Sequence, residues 1–504
     1  MALILSFLVL LVWQGVIIKH APVSLPPALQ QGTTVPSANV ASTPVAASGQ
    51  MEIPAQPAEL KESSFENIDS RVVFVDELSA VKEVIFKKYG AYDFALGSAF
   101  FTGKEQVFVK KSGNEKQVSY SFEDGNKRIT KSFDFSKPNY QIGLEITVEN
   151  LSAATLKYSF PIYSGIINTN VSRAGGSYHD VTASLKDKLV YPSIGRNADF
   201  QAINFLAVRD RYFCCIIQPK NPNYSGSIRR LAGPESIVSL LSPEFEIPAG
   251  KKIVEEFSVY LGPQDAKIMA GLNPDWQSVV YFGKLDFIAH ILLSSLRGLH
   301  VIVRNWGLAI MITSMLIYLI LFPLTLKQLR SMKEMQLLQP KMEELRCKYK
   351  SDQARLQRET MELYKEHKIN PLGGCLPLLV QMPIFLAFYL VLSRAIELRG
   401  AHFLWIKDLS EPDKLFVFTN PLPFLGNEFN LLPILMTVAQ FYQQKVSGSQ
   451  MTGQAAEQQK IMLFVMPLMF AVFFYHMPSG LVLYWLTNTI MMASQQALIM
   501  KSSK

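Results

Sequence analysis

The residue types that most often perform catalysis form no recognisable arrangement in this sequence. It lacks HExxH, GxxxxGK[ST], GxGxxG and GxSxG motifs. His179-Asp180, within GGSYHDV, has the chemistry of half a catalytic triad, but such a pair is more often part of a turn in a β-rich domain. The four cysteines include no CxxC pair. We therefore predict that the chain is not an enzyme and holds no metal or cofactor.

The remaining candidates are uncharged polar side chains that recur at helical spacing along apolar segments. They are Ser314, Tyr318 and Thr325; Gln381; Thr437, Gln440 and Gln444; and Tyr484, Thr487, Asn488 and Gln495. Polar groups in hydrocarbon are costly unless they find partners or water. One interpretation is interhelical hydrogen bonding, worth ~0.6 kcal/mol per bond. Because four segments each carry a polar face, we favour a shared, water-containing groove.

The segments that carry these residues predict a polytopic membrane protein. Of the 504 residues, 49% are hydrophobic and 18% are charged. Six apolar segments are long enough to be membrane spans, at about 2–18, 307–326, 372–392, 431–446, 461–477 and 480–500. The net charge of +8 comes with no basic patch interleaved with aromatic residues. We therefore expect contact with membrane lipids and no specific nucleic-acid partner.

The first 60 residues predict an anchor followed by a linker. Residues 1–20 lack both a basic start and an A-x-A cleavage site, so an uncleaved transmembrane anchor is favoured over a signal peptide. Residues 21–60 are rich in Pro, Ala, Ser and Thr and have too few large apolar residues for a core.

Residues 61–270 change to a period of two, which predicts a large domain resembling a β-sandwich. In YQIGLEITVEN one face carries Tyr140, Ile142, Leu144, Ile146 and Val148. Several similar runs are separated by Gly, Asn, Asp and Pro turns.

Residues 271–305 predict an amphipathic helix lying in the membrane interface. Its apolar side carries Leu285, Ile288, Ala289, Leu292, Leu296, Leu299 and Val303. Its polar side carries Asp286, His290, Ser294, Arg297 and Arg304.

Residues 306–504 predict a core of five spans that includes a charged helical hairpin at 326–370. The hairpin contains eleven Lys and Arg residues against seven Asp and Glu residues. This excess places it in the cytoplasm, together with the carboxyl terminus, so the β-domain lies on the other side. The segment INPLGGCLPLLVQMPIFLAFYLVL predicts a helix that packs closely at Gly373 and Gly374 and bends at Pro377 and Pro383. Pro478 and Gly480 predict a tight turn between the last two spans.

Four segments closely resemble the YidC/Oxa/Alb family of membrane-protein insertases. They are KINPLGGCLPLLVQMPIFLAFYLVL, PSGLVLYWLTN, LLPILMTVAQFYQQK, and NWGLAIMI with the following FPLTLKQLRSMKEMQLLQPKMEEL. The likeness runs from about Tyr281 to Lys501. A looser likeness to the family's periplasmic domain includes FLAVRDRYFCCIIQP. This form of the family, with a large periplasmic domain, is found in Gram-negative bacteria.

The resemblance implies a periplasmic β-supersandwich and a five-helix core in the bacterial inner membrane, with a hydrophilic groove open to cytoplasm and lipid. It implies an insertase that also helps membrane proteins to fold, without a cofactor. Nascent inner-membrane proteins would be its clients, and the Sec translocon, the ribosome and the signal-recognition machinery are implied partners. The implied hairpin contacts are Lys327, Arg330, Lys333, Lys341 and Arg346.

One position departs from the family pattern. The family typically carries an arginine in the groove, five residues before the proline of its PLT motif, and Tyr318 stands there in this sequence. A phenol can form hydrogen bonds but supplies no positive charge. We therefore expect a polar groove with less selectivity for acidic client tails.

Two other classes of function stay open on the sequence. A transporter or channel would need repeats or midplane charges, of which we find no clear sign. An envelope-assembly scaffold would act through the β-domain and use the spans only as anchors.

Overall fold

The computed structural model describes residues 61–66, 69–89, 92–103, 106–114, 116–168, 180–186, 188–231, 235–350, 352–367, 376–422, 426–447 and 454–501. The predicted anchor (1–20) and linker (21–60) lie outside the described residues, as do His179, Gly373 and Gly374.

Residues 62–263 form the β-domain. Its strands are β1 (Glu62–Glu66), β2 (Ser70–Val75), β3 (Ala80–Phe86), β4 (Tyr92–Ala99), β5 (Val109–Gly113), β6 (Gln117–Glu123), β7 (Lys127–Asp134), β8 (Gln141–Asn150), β9 (Leu156–Tyr158), β10 (Pro161–Asn168), β11 (Asp180–Leu185), β12 (Lys188–Val190), β13 (Ala198–Phe200), β14 (Ile203–Arg209), β15 (Phe213–Pro219), β16 (Ser225–Arg230), β17 (Glu235–Leu241), β18 (Phe245–Ile247) and β19 (Lys252–Pro263).

The strands pair antiparallel in sheets of different sizes. The largest has the order β12-β11-β14-β15-β19-β8-β7-β6-β5. Two four-stranded sheets have the orders β1-β2-β3-β4 and β10-β17-β16-β13, and β9 pairs with β18. The β8–β19 pairing, in which Glu149 lies opposite Lys252, joins strands about a hundred residues apart.

Alternation along β8 builds the core of the domain. The predicted apolar face, Tyr140 together with Ile142, Leu144, Ile146 and Val148, is buried. An aromatic cluster packs beside it, in which the rings of Phe74 and Phe133 are 4.9 Å apart and those of Phe86 and Phe213 are 4.0 Å apart. Such contacts contribute beyond their buried area.

Residues 266–501 are mainly helical. The helices are α1 (Ala266–Leu272), α2 (Asp286–Val303), α3 (Trp306–Leu337), α4 (Gln339–Lys348), α5 (Gln353–Glu366), α6 (Leu376–Arg394), α7 (Leu431–Ser447), α8 (Gln454–Phe474) and α9 (Ser479–Lys501). Asp265 caps α1 by accepting hydrogen bonds from the backbone of Lys267 and Ile268. Asp352 caps α5 in the same way through Arg355.

Helix α2 differs from the predicted amphipathic pattern. Ala289, Leu292, Leu293 and Leu296 are buried, but Phe287, Ile291, Val301 and Ile302 are exposed. Apolar side chains therefore lie on two sides of the helix. Only one narrow stripe of them packs against neighbouring helices, so the others stay exposed. By length and composition, residues Gly283–Val303 could cross a membrane, as could Trp306–Gln328. Leu379–Arg394 and Leu463–Phe474 are shorter apolar helices.

Two boundaries differ from expectation. Helix α3 continues to Leu337 rather than ending near residue 326, so at 1.5 Å per residue its 32 residues extend about 48 Å. Only α4 and α5 then form the arms of the hairpin. Between α6 and α7 the chain also forms an unpredicted β-hairpin of β20 (Phe416–Leu422) and β21 (Gly426–Phe429).

Candidate functional site

Helix α9 is the centre of the helical region, because it packs against α3, α6 and α7. Those are the helices that carry the predicted groove residues. Ser314 and Tyr484 are fully buried, and Tyr318, Thr325, Gln440 and Thr487 are nearly so. Gln381, Thr437 and Asn488 are half-buried. The polar side chains therefore lie on the inner faces of the bundle.

Two hydrogen bonds of predicted groove residues join α9 to neighbouring helices. Tyr318 on α3 donates its hydroxyl proton to Oε1 of Gln495 on α9. Gln381 on α6 donates from Nε2 to the hydroxyl oxygen of Tyr484 on α9. The interior therefore contains two separate uncharged polar contacts, one from α9 to α3 and one from α9 to α6.

Four predicted groove hydroxyls bond within their own helices instead. Ser314 donates to the Ile310 carbonyl at 2.7 Å, and Thr325 donates to the Leu321 carbonyl at 3.2 Å. The equivalent bonds of Thr437 and Thr487 measure 2.7 and 2.8 Å. This i−4 bonding satisfies a hydroxyl without a second helix. These four residues make the interior polar but do not hold helices together.

Several buried polar atoms find no hydrogen-bond partner within the described part of the chain. They are Oε1 of Gln440, Nδ2 of Asn488, Nε2 of Gln495 and Oγ1 of Thr313. An unpaired buried donor or acceptor costs roughly 1–3 kcal/mol. Water, or a polar group of a bound molecule, would remove that cost. Thr313 was missed from the sequence because it precedes Ser314 and lies off the three-residue stripe of α3.

The predicted hairpin residues are placed only in part. Lys327 and Lys341 are exposed, and Nζ of Lys341 lies 3.2 Å from Nε2 of His367. Arg346 is half-buried, while the side chains of Arg330 and Lys333 lie outside the described residues. Helices α4 and α5 are joined by a contact from the Tyr364 hydroxyl to the Met342 sulfur at 3.1 Å.

The described members of the predicted structural set lie within a helix, at helix starts or in a short connection between helices. Pro383 lies inside α6, and Pro377 lies at the described start of that helix. Pro478 precedes α9 directly, in the tight connection from α8. A Cβ at Gly480 would meet the Leu409 carbonyl oxygen at 3.0 Å, which explains the glycine. Asp180, expected in a turn, instead begins β11 and pairs with Arg209 at 2.7 Å.

Residues 395–414, which we name the tie loop, were not recognised from the sequence as functional. Ser479 and Gly480, at the start of α9, donate backbone hydrogen bonds to the carbonyls of Glu411 and Leu409. Near the start of α3, Gly307 leaves space for the Phe403 ring, because a Cβ there would lie 2.1 Å from it. Asp413 Oδ2 accepts from Leu431 N and Leu432 N at 2.9 Å and so caps α7. The loop thus holds the starts of three helices.

The described residues contain no group of three or more His, Cys, Asp or Glu side chains that could hold a metal ion. Cys214 and Cys215 are both buried on β15, where burial raises the pKa of each thiol. Raised thiol pKa values oppose nucleophilic chemistry there.

Fold and site together define a chain with a β-rich domain and an apolar helical region in which the described groove candidates are polar and uncharged. Comparison with known families agrees with both parts. Residues 85–294 match the family described as "YidC periplasmic domain", and residues 298–504 match "60Kd inner membrane protein".

Curated relatives match most of the chain. "Membrane protein insertase YidC" of Actinobacillus pleuropneumoniae serotype 3 is 35% identical over 409 residues, covering 79% of this chain and 72% of that protein. The protein of the same name from Syntrophus aciditrophicus is 34% identical, covering 85% and 78%. The chain therefore belongs to the YidC family.

Solved structures also match most of the chain. "Active YidC insertase crystal structure with the first transmembrane domain resolved" is similar over 89% of this chain and 94% of that chain, with 20% identity and a TM-score of 0.42.

Proposed function

We propose that this chain inserts membrane proteins into the bacterial inner membrane and helps them to fold, through an uncharged polar groove formed by α3, α6, α7 and α9. The observation that carries the proposal is the set of unpaired buried atoms on Gln440, Asn488 and Gln495. In hydrocarbon such atoms need water or a polar client group. The names of the curated relatives support the same activity.

The groove residues of the proposal have two roles. Ser314, Thr325, Thr437, Gln440 and Thr487 make the wall wettable, as does Asn488 through its unpaired amide nitrogen, while Tyr318, Gln381 and Tyr484 form contacts between helices. A hydrated wall shortens the roughly 30 Å hydrocarbon path that a client's polar tail must cross. The client's apolar segment then moves into lipid, driven by about 25 cal/mol per Å² of buried apolar surface. Insertion on this basis requires no nucleotide.

We place this activity in a chain of six spans. The anchor 1–20 precedes a linker at 21–60, a periplasmic domain at 61–270, an interfacial helix at 271–305 and a five-span core at 306–504. The exposed apolar side chains of α2, among them Phe287 and Ile302, support its contact with lipid. The charge excess of the hairpin supports a cytoplasmic hairpin and carboxyl terminus.

The proposed partners follow from this arrangement. Nascent inner-membrane proteins would first meet the hairpin at Lys327, Arg330, Lys333, Lys341 and Arg346. Ribosomes, signal-recognition machinery and the Sec translocon are further partners on this proposal, and no specific nucleic acid is expected.

Complementation tests the proposal against a scaffold function. In cells depleted of their own insertase, expression of this chain is expected to restore insertion of a small two-span client, scored by protease accessibility. A variant lacking residues 61–270 should retain insertion. Loss of insertion on that deletion, with the core still in the membrane, would favour the envelope-assembly scaffold. Failure of the full, correctly oriented chain would refute the insertase.

A further inference from the structure

The turn between β14 and β15 projects from the β-domain toward the helical region and is rigid. Asp210 Oδ1 accepts hydrogen bonds from Tyr212 N and Phe213 N at 2.7 and 2.6 Å. Gln264 Nε2 donates to the Asp210 carbonyl at 2.8 Å. An aspartate at the first turn position that bonds ahead along the chain fixes a tight turn. Arg211 and Tyr212 are therefore presented in a defined orientation.

Arg211 binds the tie loop and the end of α6 at three points. Nε donates to the Ser393 carbonyl at 2.5 Å, and Nη2 donates to the Ser410 carbonyl at 2.9 Å. Nη1 pairs with Oε1 of Glu411 at 3.1 Å. The planar guanidinium suits such a multidentate contact, which a lysine could not reproduce.

Tyr212 reinforces the contact beside it. Its buried hydroxyl lies 3.1 Å from Oγ of Ser410, and burial raises the pKa of Tyr212 to about 12. The phenol therefore stays protonated at neutral pH. Its ring also lies against two guanidiniums, that of Arg211 at 4.8 Å and that of Arg399 in the tie loop at 5.1 Å.

The tie loop receives a second support from α2. Arg297 forms a two-nitrogen hydrogen-bonded ion pair with Oε1 of Glu397. Both side chains are about four-fifths buried. Breaking a largely buried pair leaves an uncompensated charge. The loop is thus fixed from the β-domain on one side and from α2 on the other.

We propose that Arg211 and Tyr212 are positioning residues through which the β-domain holds the tie loop in place over the starts of α3, α7 and α9. We call the contact of these two residues with the tie loop the latch. The inference rests on the proposed function, since it assigns the β-domain a role in closing the groove at that end. When the latch is broken, the loop separates from Ser479 and Gly480 more often and exposes the bundle interior. The occupant of this surface is the chain's own loop.

Cysteine labelling tests the latch directly. Ile310, which is fully buried beside Gly480, is replaced by cysteine, and Cys347 and Cys375 are replaced by serine. A membrane-impermeant maleimide is added from the β-domain side of intact membranes, and labelled sites are read by mass spectrometry. Arg211→Ala is expected to raise labelling at position 310 about 10-fold or more, as expected for loss of several charge-assisted bonds. Tyr212→Phe should give a smaller rise.

A matched control lies in the same domain. Like Arg211, Arg229 pairs with a carboxylate, that of Asp199 at 2.5 Å, and donates to a backbone carbonyl, that of Ala198. Both of these partners lie in the β-domain. Arg229→Ala should leave labelling at position 310 unchanged. Buried Cys214 and Cys215 report on unfolding of the domain itself.

The outcomes separate cleanly. Faster labelling at position 310 with Cys214 and Cys215 still protected supports the latch. Unchanged labelling, or equal labelling of all three cysteines, overturns it. Client insertion is measured on the same membranes. If Arg211→Ala inserts the client and labelling at position 310 is unchanged, only the latch is refuted. If the parent chain does not insert the client, the proposed function is refuted.

Discussion

Tyr318 is the residue that most shapes the chemistry of the interior. Its hydroxyl donates to Gln495, so it joins α3 to α9 without supplying charge. Gln495 accepts this bond through Oε1 while its Nε2 has no partner within the described chain. At this position the proposed groove therefore has hydrogen-bonding groups in place of a cation.

Substitution of Tyr318 tests this view. Tyr318→Phe removes one hydrogen bond within the membrane region, worth ~0.6 kcal/mol, so we expect insertion to fall by about 3-fold at most. Tyr318→Arg should shift insertion toward clients with acidic translocated tails. Rates are compared for matched acidic and neutral tails.

Tyr442→Phe is the matched control, since Tyr442 is 57% exposed on α7 and loses the same hydroxyl. Abolition of insertion by Tyr318→Phe, to the level reached by removing residues 339–366, would contradict a purely polar role.

Lys131 on β7 is a fully buried lysine in the β-domain. Nζ donates to the Phe100 carbonyl at 2.8 Å and lies 4.5 Å from the centre of the Phe108 ring. Burial holds the pKa of Lys131 well below its usual value of 10.5. Between the folded-state pKa and 10.5 the unfolded chain binds more protons, so stability rises with pH in that window.

Replacing Lys131 by methionine should remove this pH dependence. From pH 8 to pH 10, the unfolding free energy of the wild type is expected to increase relative to that of Lys131→Met, by up to about 1.4 kcal/mol per pH unit. The measurement is the denaturation midpoint of the full-length protein in detergent at each pH. Parallel pH profiles would show that the amine is not held neutral in the fold.

At the scale of elements, Gly307 on α3 and Phe403 in the tie loop form one contact. A Cβ at position 307 would lie 2.1 Å from the ring, so Gly307→Ala is expected to cost about 1–3 kcal/mol by overpacking. In a Phe403→Ala background the same change should cost much less. Thermal midpoints of the four proteins form the double-mutant cycle.

Gly298 provides the control, because it lies in α2 and a Cβ added there would have no neighbour within 4 Å. Gly298→Ala should be neutral or stabilising by up to about 1 kcal/mol. Equal destabilisation at both glycines would mean that loss of helix flexibility, not the Phe403 contact, explains Gly307.

Hydration of the helical interior can be measured on one helix. Gln440 on α7 is 7% exposed to the surroundings, whereas Val438 is 62% exposed on the outer side. Thiolates form in water and not in hydrocarbon. In membranes, Gln440→Cys is therefore expected to react with N-ethylmaleimide about an order of magnitude faster than Val438→Cys. Exposed Cys347 serves as the internal reference. Faster reaction at Val438 would refute a wet groove.

Local patterns predicted the elements well, and long-range contacts account for what they missed. Alternation placed Tyr140 and Val148 on a buried face, as observed. The pairing of β8 with β19 depends on residues far apart in sequence, which periodicity does not record. Helix α3 continues beyond its predicted end near residue 326. The change from apolar to charged residues there marks a change of surroundings and not the end of the helix, because Lys, Glu, Met and Leu all favour helix.

In the candidate site, too, local spacing was predictive and long-range contacts were not predictable. Helical spacing identified inward-facing residues such as Ser314 and Tyr484, whose burial depends on one helix face. Which of them bond across helices was not predictable, because Tyr318–Gln495 and Gln381–Tyr484 depend on how α9 is rotated against its neighbours. The tie loop lacks any period, and its importance comes from contacts with Gly307, Gly480 and Arg211.

At the scale of the whole molecule, the β-domain and the helical region form a connected structure. Arg211 and Tyr212 reach the tie loop, and Arg399 returns a bond to the Tyr89 carbonyl at 3.4 Å. On our proposals, the uncharged groove governs insertion, and the latch governs access to the helical interior from the side of the β-domain.

Reconstitution tests the central claim most directly. The purified chain alone is placed in lipid vesicles, and a small two-span client with a neutral translocated tail is synthesised in their presence. We predict that a protease-protected client fragment forms only when this chain is present. Once the client has been released, the fragment should persist without nucleotide hydrolysis. An equal amount of protected fragment in protein-free vesicles, or none with correctly oriented protein, would contradict an insertase that works through an uncharged groove.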